Sequence, residues 1–254
     1  HSGFALSGDG FTVIMDYYRD SEDGQAQADL NRLMDGTFSN QEAGMPEGTV
    51  HSELLRRPGK LYVLASHFHP DHFNKEVLQW REQRPDIIYI FSKDILRHRR
   101  AQKEDAVWLK KGEEYKDETL SVRAFGSTDV GVSFLLQASG KKIFHAGDLN
   151  NWHWMDESTE AQWKGAEKNF LHELDDLYAY TPEVDVAMFP VDPRLGKEYM
   201  RGAGQFVTKI KTHIFVPMHF TPEYAKANAF RDFAEAHGVR FVSLTHRGQK
   251  IEIE

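Results

Sequence analysis

Six consecutive residues, His67-Phe68-His69-Pro70-Asp71-His72, put three imidazoles and a carboxylate into one short segment. Imidazole nitrogen and carboxylate oxygen together suit zinc, manganese or iron. Dense clusters of this kind at ligand spacing are uncommon by chance. His67 and His69 are two apart, so in an extended segment their side chains point the same way. Pro70 disfavours helix at that point. Asp71 and His72 follow where the chain bends. One loop can therefore serve two cations, His67 and His69 facing one and Asp71 with His72 the other. Water bound to such a cation ionises near neutral pH, which points to hydrolysis.

Such a loop needs a rigid support. Leu61-Tyr62-Val63-Leu64-Ala65, directly before it, is a continuous apolar run expected to be a strand buried on both faces. After it, Asn74 can cap a helix over 74–84. Phe4 to Leu6 and Phe11 to Met15 flank Gly8-Asp9-Gly10 and read as a β-hairpin. Residues 19–48 read as a polar surface excursion with a short helix near 28–34. Strand 87–91 and helix 94–100 come next. A meander of strands follows at 106–109, 120–125, 132–137 and 142–145. Residues 158–179 carry a helical stripe of Phe170, Leu171, Leu174, Leu177 and Tyr178. Strands at 184–189, 214–216, 240–243 and 250–253 then alternate with helices at 203–211 and 222–237. Strands outnumber helices, and the helices must cover sheet faces. The expectation is an α+β fold, a two-sheet sandwich with helices outside in four αββα layers, as a single domain over 1–254.

The composition narrows the partners. A net charge of −8 argues against nucleic acid, which needs clustered Lys and Arg. The one dense basic run, Arg97-His98-Arg99-Arg100, reads as a solvated helix face. The absence of cysteine excludes disulfides and thiolate-bound metal, and it fits the cytoplasm. No apolar run reaches the length of a membrane span. The sequence begins at His1, within what reads as a strand pair, leaving room for native residues or a cleaved signal ahead of it. A homo-oligomer is compatible with all of this.

The histidine-rich segment resembles the His-x-His-x-Asp-His signature of the metallo-β-lactamase superfamily. Other positions match that family in order. Asp16, at a strand end, resembles the buried aspartate that buttresses the metal loop. Gly147-Asp148 resembles the Gly-Asp whose carboxylate bridges two metals. His219, within Val216-Pro217-Met218-His219-Phe220, resembles the last histidine ligand. The resemblance implies a metal set of His67, His69, Asp71, His72, Asp148 and His219 holding one or two divalent ions. Zinc is the first expectation, with manganese or iron admitted. It implies the family's αββα sandwich, and a catalytic part for Asp71 in accepting or relaying a proton. The arrangement is most similar to the branch containing ascorbate-6-phosphate lactonase and N-acyl-phosphatidylethanolamine phospholipase D. That implies a lactone, ester or phosphodiester in a small, anionic substrate. One departure stands out. The family usually has a further histidine before the Gly-Asp, whereas Phe125-Gly126-Ser127-Thr128-Asp129-Val130-Gly131 has none. His153 or Asp129 could take its place.

Two more segments should lie near the metals. In Asn150-Asn151-Trp152-His153-Trp154, Trp152 and His153 are candidate pocket residues. In Phe189-Pro190-Val191-Asp192-Pro193-Arg194, Arg194 could bind an anionic substrate group and Asp192 could orient it. His145 should point away from the Asp148 side. Two rival readings are a nuclease of the same superfamily and a metal-holding protein without turnover.

Overall fold

In a computed structural model of the chain, which describes residues 2–18, 50, 52–221 and 223–253, the strands fall into two sheets. The first contains β1 (Phe4–Gly8), β2 (Phe11–Met15), β3 (Lys60–Ala65), β4 (Ile88–Ser92) and β5 (Val107–Leu109), in that order. β1 and β2 form the expected antiparallel hairpin, and β2 to β5 run parallel. The second sheet takes β6 (Glu114–Lys116), β7 (Leu120–Phe125), β8 (Ser133–Ala138), β9 (Lys141–His145), β10 (Glu183–Pro190), β11 (Lys211–Met218) and β12 (Arg240–Phe241). β6 to β9 are an antiparallel meander; β9 to β12 are parallel.

Side-chain alternation sorts the layers. Val13, Met15, Tyr62 and Leu64 share a core with Val122, Phe134 and Leu136 of the second sheet. Their neighbours Ile14, Leu61, Val63 and Ala65 face the opposite way, into a cluster with Phe73, Val77, Trp80 and Ile95. That outer cluster is covered by the 3-10 helix Lys75–Glu82, α1 (Ser52–Leu55) and α2 (Lys93–Arg97). On the far side lie α3 (Glu160–Tyr180) and α4 (Arg201–Lys209), whose Phe170, Leu174, Leu177 and Phe206 are fully buried. The result is the α+β fold in four αββα layers.

Several expected elements differ. Residues 75–82 form 3-10 rather than α-helix, although Asn74 caps them by accepting from the Glu76 N–H. The helix expected over 222–237 is two short ones, α5 (Tyr224–Asn228) and α6 (Arg231–Ala236). Residues 250–253 are not a strand; Ile251 and Ile253 pack on the core without a ladder. β5 pairs in the first sheet and not in the meander, whose edge is the unforeseen β6. The excursion expected over 19–48 lies outside the described residues. Among the described residues no helix is long and apolar enough to cross a membrane.

Candidate metal centre

The C-terminal ends of the central parallel strands meet at one rim. β2 ends just before Asp16, β3 leads into His67, β10 ends before Asp192, and β11 ends just before His219. Beside them β9 runs through Ala146-Gly147 to Asp148. Two of these positions hold non-glycine residues in the left-handed region, Asp16 (φ 46°) and His219 (φ 59°). Such backbone persists only where the surroundings enforce it, and it concentrates at functional sites. Gly147 (φ 54°) is required in another sense: a Cβ there would stand 2.8 Å from the Val132 carbonyl oxygen and 2.9 Å from Ser66 Cβ.

Two groups of potential donors result. His67, His69 and Asp148 form one, and Asp71, His72 and His219 the other, each with donor atoms within 4.8 Å of one another. Asp148 sits between them. Its Oδ2 is 3.3 Å from His67 Nε2, and its Oδ1 is 3.1 Å from His72 Nε2 and 3.3 Å from His219 Nε2. Asp71 Oδ2 is 3.6 Å from His72 Nε2 and 3.9 Å from His219 Nε2. Atoms bound to one tetrahedral cation at about 2.0–2.1 Å stand roughly 3.3–3.5 Å apart. The observed separations bracket that edge length. Moreover, His67 Nε2 and Asp148 Oδ1 are buried and make no hydrogen bond. Buried polar atoms normally have partners, and a shared cation would satisfy both. The residues present fit divalent ions with nitrogen and oxygen donors.

The supporting groups fix the imidazoles. The Ser66 N–H and hydroxyl donate to the two oxygens of Asp16, at 2.7 and 2.6 Å. His72 Nδ1 lies 2.7 Å from Asp16 Oδ2, so its N–H donates there and Nε2 faces the site. His67 Nδ1 lies 3.0 Å from the Ser66 hydroxyl, whose proton already goes to Asp16; His67 therefore donates from Nδ1 and presents Nε2. Asp192 repeats the device for His219, 2.8 Å from its Nδ1. Burial opposes charge on His72, but the Asp16 charge, the facing Asp148 carboxylate and the hydrogen bond to Asp16 outweigh it and push the ring up to about 10. Burial likewise raises Asp148, yet the imidazoles of His67, His72 and His219 that face it hold it well below the usual carboxylate range. Without a cation His72 holds its proton; metal binding would displace it.

A family description, "Beta-lactamase superfamily domain", matches residues 1–219. The chain belongs to the metallo-β-lactamase superfamily. Solved structures of similar fold include a metallo-β-lactamase fold protein. Igni18, a metallo hydrolase of Ignicoccus hospitalis, has a TM-score of 0.62 at 17% identity, covering 99% of this chain and 94% of that one. YhfI of Bacillus subtilis has a TM-score of 0.57 at 11% identity, covering 98% and 89%. CmlA of Streptomyces venezuelae, a diiron β-hydroxylase, has a TM-score of 0.58 at 13% identity, covering 96% of this chain and 51% of CmlA. At these identities the likeness is one of fold. No curated protein matches the chain.

Within the metallo-β-lactamase frame, the remaining expected residues separate. Trp152 borders the centre: its indole N–H donates to the Asp148 carbonyl at 2.8 Å, and its ring stands 5.4 Å from that of His219. Arg194 does too, with Nη2 3.3 Å from His219 Nδ1. Asp192, fully buried, grips the Arg194 Nε and Nη2 while holding His219. Burial raises Asp192, but His219 and Arg194 hold its carboxyl down. His153 is turned to structural use. Its Nε2 meets the Glu198 carbonyl at 3.1 Å and its Nδ1 accepts from the Met155 N–H at 3.1 Å, so no ring nitrogen is left for a cation or substrate. His145 is buried, with Nε2 2.9 Å from the Ser2 carbonyl and Nδ1 accepting from Gly147 N–H. Ser66 escaped notice in the sequence, because a lone serine before a histidine carries no signal until Asp16 is folded against it.

Proposed function

We propose that this protein is a metal-dependent hydrolase acting on an ester, lactone or phosphodiester bond in a small anionic molecule. The observation that carries this reading is the convergence of donors from residues 67–72, 148 and 219 into two groups, each with its ligand atoms within 4.8 Å of one another. His67, His69 and Asp148 would hold one divalent ion; Asp71, His72 and His219, with Asp148 between, would hold the other. Bound there, such ions lower the pKa of water towards 7 and stabilise negative charge on oxygen. Zinc suits this donor set, and so do manganese and iron.

The chain's own groups supply the rest. Asp71 is partly exposed at the rim, where its carboxylate can take a proton from water or pass one to a leaving group. Arg194 is held by Asp192 through Nε and Nη2, which leaves Nη1 to meet a substrate carboxylate or phosphate. Trp152 walls the same side and excludes water.

A second reading, a metal-holding protein without turnover, draws support from the missing histidine in 125–131. Metal content and hydrolysis of an ester, lactone and phosphodiester panel, measured side by side, separate the two. The hydrolase reading expects His72→Ala and Asp148→Ala to lose both metal and turnover. Full activity in a metal-free variant refutes it, and bound metal with no turnover across the panel favours the second.

A further inference from the structure

The two donor groups are unequal. Asp71, His72 and His219 have Asp148 Oδ1 as a fourth neighbour, at 3.1 and 3.3 Å from the two imidazoles. Among the described residues, the His67 and His69 group is completed by Asp148 without a fourth donor as close, and His67 Nε2 is buried without a hydrogen bond. The segment where a third imidazole is usual is nevertheless pinned against this site. Val132 N–H donates to the Ser66 carbonyl at 3.0 Å. Gly131 (φ 73°) lies so close that a Cβ would stand 2.5 Å from His67 Cβ. Thr128 Oγ1 bonds both the carbonyl and the N–H of Asn150, at 2.6 and 2.9 Å.

That stitching uses up Thr128, and His153 is spent on backbone groups. Asp129 remains. Its Oδ2 stands 3.6 Å from His69 Nδ1, too far for a hydrogen bond and close to the edge length of a shared coordination shell. Its side chain is 46% exposed at the mouth of the site, and with the backbone held on both sides the movement asked of it is a side-chain rotation.

We propose that Asp129 supplies the fourth protein donor of the His67–His69–Asp148 site, in place of a third imidazole. This rests on the metal reading above. The site then offers two imidazoles and two carboxylates, a harder set than three imidazoles and one carboxylate. It should accept manganese or iron more readily than a histidine-rich site would.

The test is a titration of the metal-stripped full chain with Co(II), with bound ions counted by elemental analysis after gel filtration. Wild type should hold two ions per chain. Asp129→Ala should bind one of them at least about 10-fold more weakly, with the other unchanged. Asp129→His should restore two ions and shift preference from Mn(II) towards Zn(II). Two ions of unaltered affinity in Asp129→Ala, or a single ion in wild type, overturn the proposal. Wild type that binds no ion would instead sink the metal reading itself, so the two failures are distinguishable. Asp129 is exposed, so the alanine variant should fold; circular dichroism checks that before the ions are counted.

Discussion

Asp192 Oδ2 lies 2.8 Å from His219 Nδ1, and the same buried carboxylate clamps the guanidinium of Arg194. One side chain thus couples an imidazole of the donor cluster to the guanidinium beside it. Removing it should disturb both. Asp192→Ala is expected to weaken the more His219-dependent ion by about 10–100-fold, the usual effect of deleting an orienting partner. Isothermal titration with Zn(II) reads this directly; an unchanged affinity would show that Asp192 serves Arg194 alone.

Arg194→Ala should behave differently. It leaves the imidazoles and carboxylates intact, so metal content should stay at the wild-type level. A charge-assisted hydrogen bond is worth about 1.5–3 kcal/mol, so KM for an anionic substrate should rise about 10–100-fold. A neutral analogue should lose little. Equal losses for the charged and neutral substrates would remove Arg194 from the binding surface.

Gly147→Ala tests the backbone beneath the Asp148 carboxylate. The φ of 54° and the 2.8 Å approach of the Val132 carbonyl leave no room for a methyl group. Destabilisation of about 1–3 kcal/mol is expected in urea unfolding, with metal affinity falling alongside. A stable variant with normal metal content would mean that the Val132 and Ser66 segments yield easily.

Asp117 ties the two sheets near the start of β3. Its Oδ2 accepts from Lys60, Tyr62 and Tyr115, at 2.8, 2.8 and 3.0 Å. Its Oδ1 accepts from the N–H groups of Thr119 and Leu120. Burial alone would raise this carboxyl, but Lys60 and the Leu120 and Thr119 N–H groups hold it well below the usual range. A depressed folded value means that the stabilisation is present above the unfolded pKa of about 3.9 and is lost as pH falls through the folded value. Asp117→Asn should therefore be less stable than wild type at pH 7, by about 1–3 kcal/mol. The gap should narrow below about pH 4. A gap independent of pH between 2 and 7 would assign the effect to shape rather than charge.

Much of this was legible before folding. His67, His69, Asp71 and His72 are contiguous, so local pattern marks them, whereas Asp148 and His219 stand out only by their resemblance to the superfamily's ordered motifs; the fold brings all six together. The orienting pairs were harder to read. Ser66 with Asp16 is separated by 50 residues, and Asp192 with His219 by 27. No local spacing announces such a pair. His153 misled because nearness to Asp148 in sequence says nothing about ring direction; the chain turns at Trp154 (φ 43°) and the imidazole goes to backbone. β6 was missed because Glu-Tyr-Lys is a short polar edge, the composition edges use to avoid further pairing. Residues 250–253 alternate like a strand, and the alternation does half-bury Ile251 and Ile253 against the core, but such packing needs no ladder.

The most direct measurement is anomalous diffraction from crystals grown with Zn(II) or Mn(II). Peaks should appear about 2.0–2.2 Å from Asp148, one shared with His67 and His69, the other with Asp71, His72 and His219. No peak at Asp148, or a metal bound elsewhere with His219 turned away from the His67–His72 loop, would contradict the assignment of this rim as a metal centre.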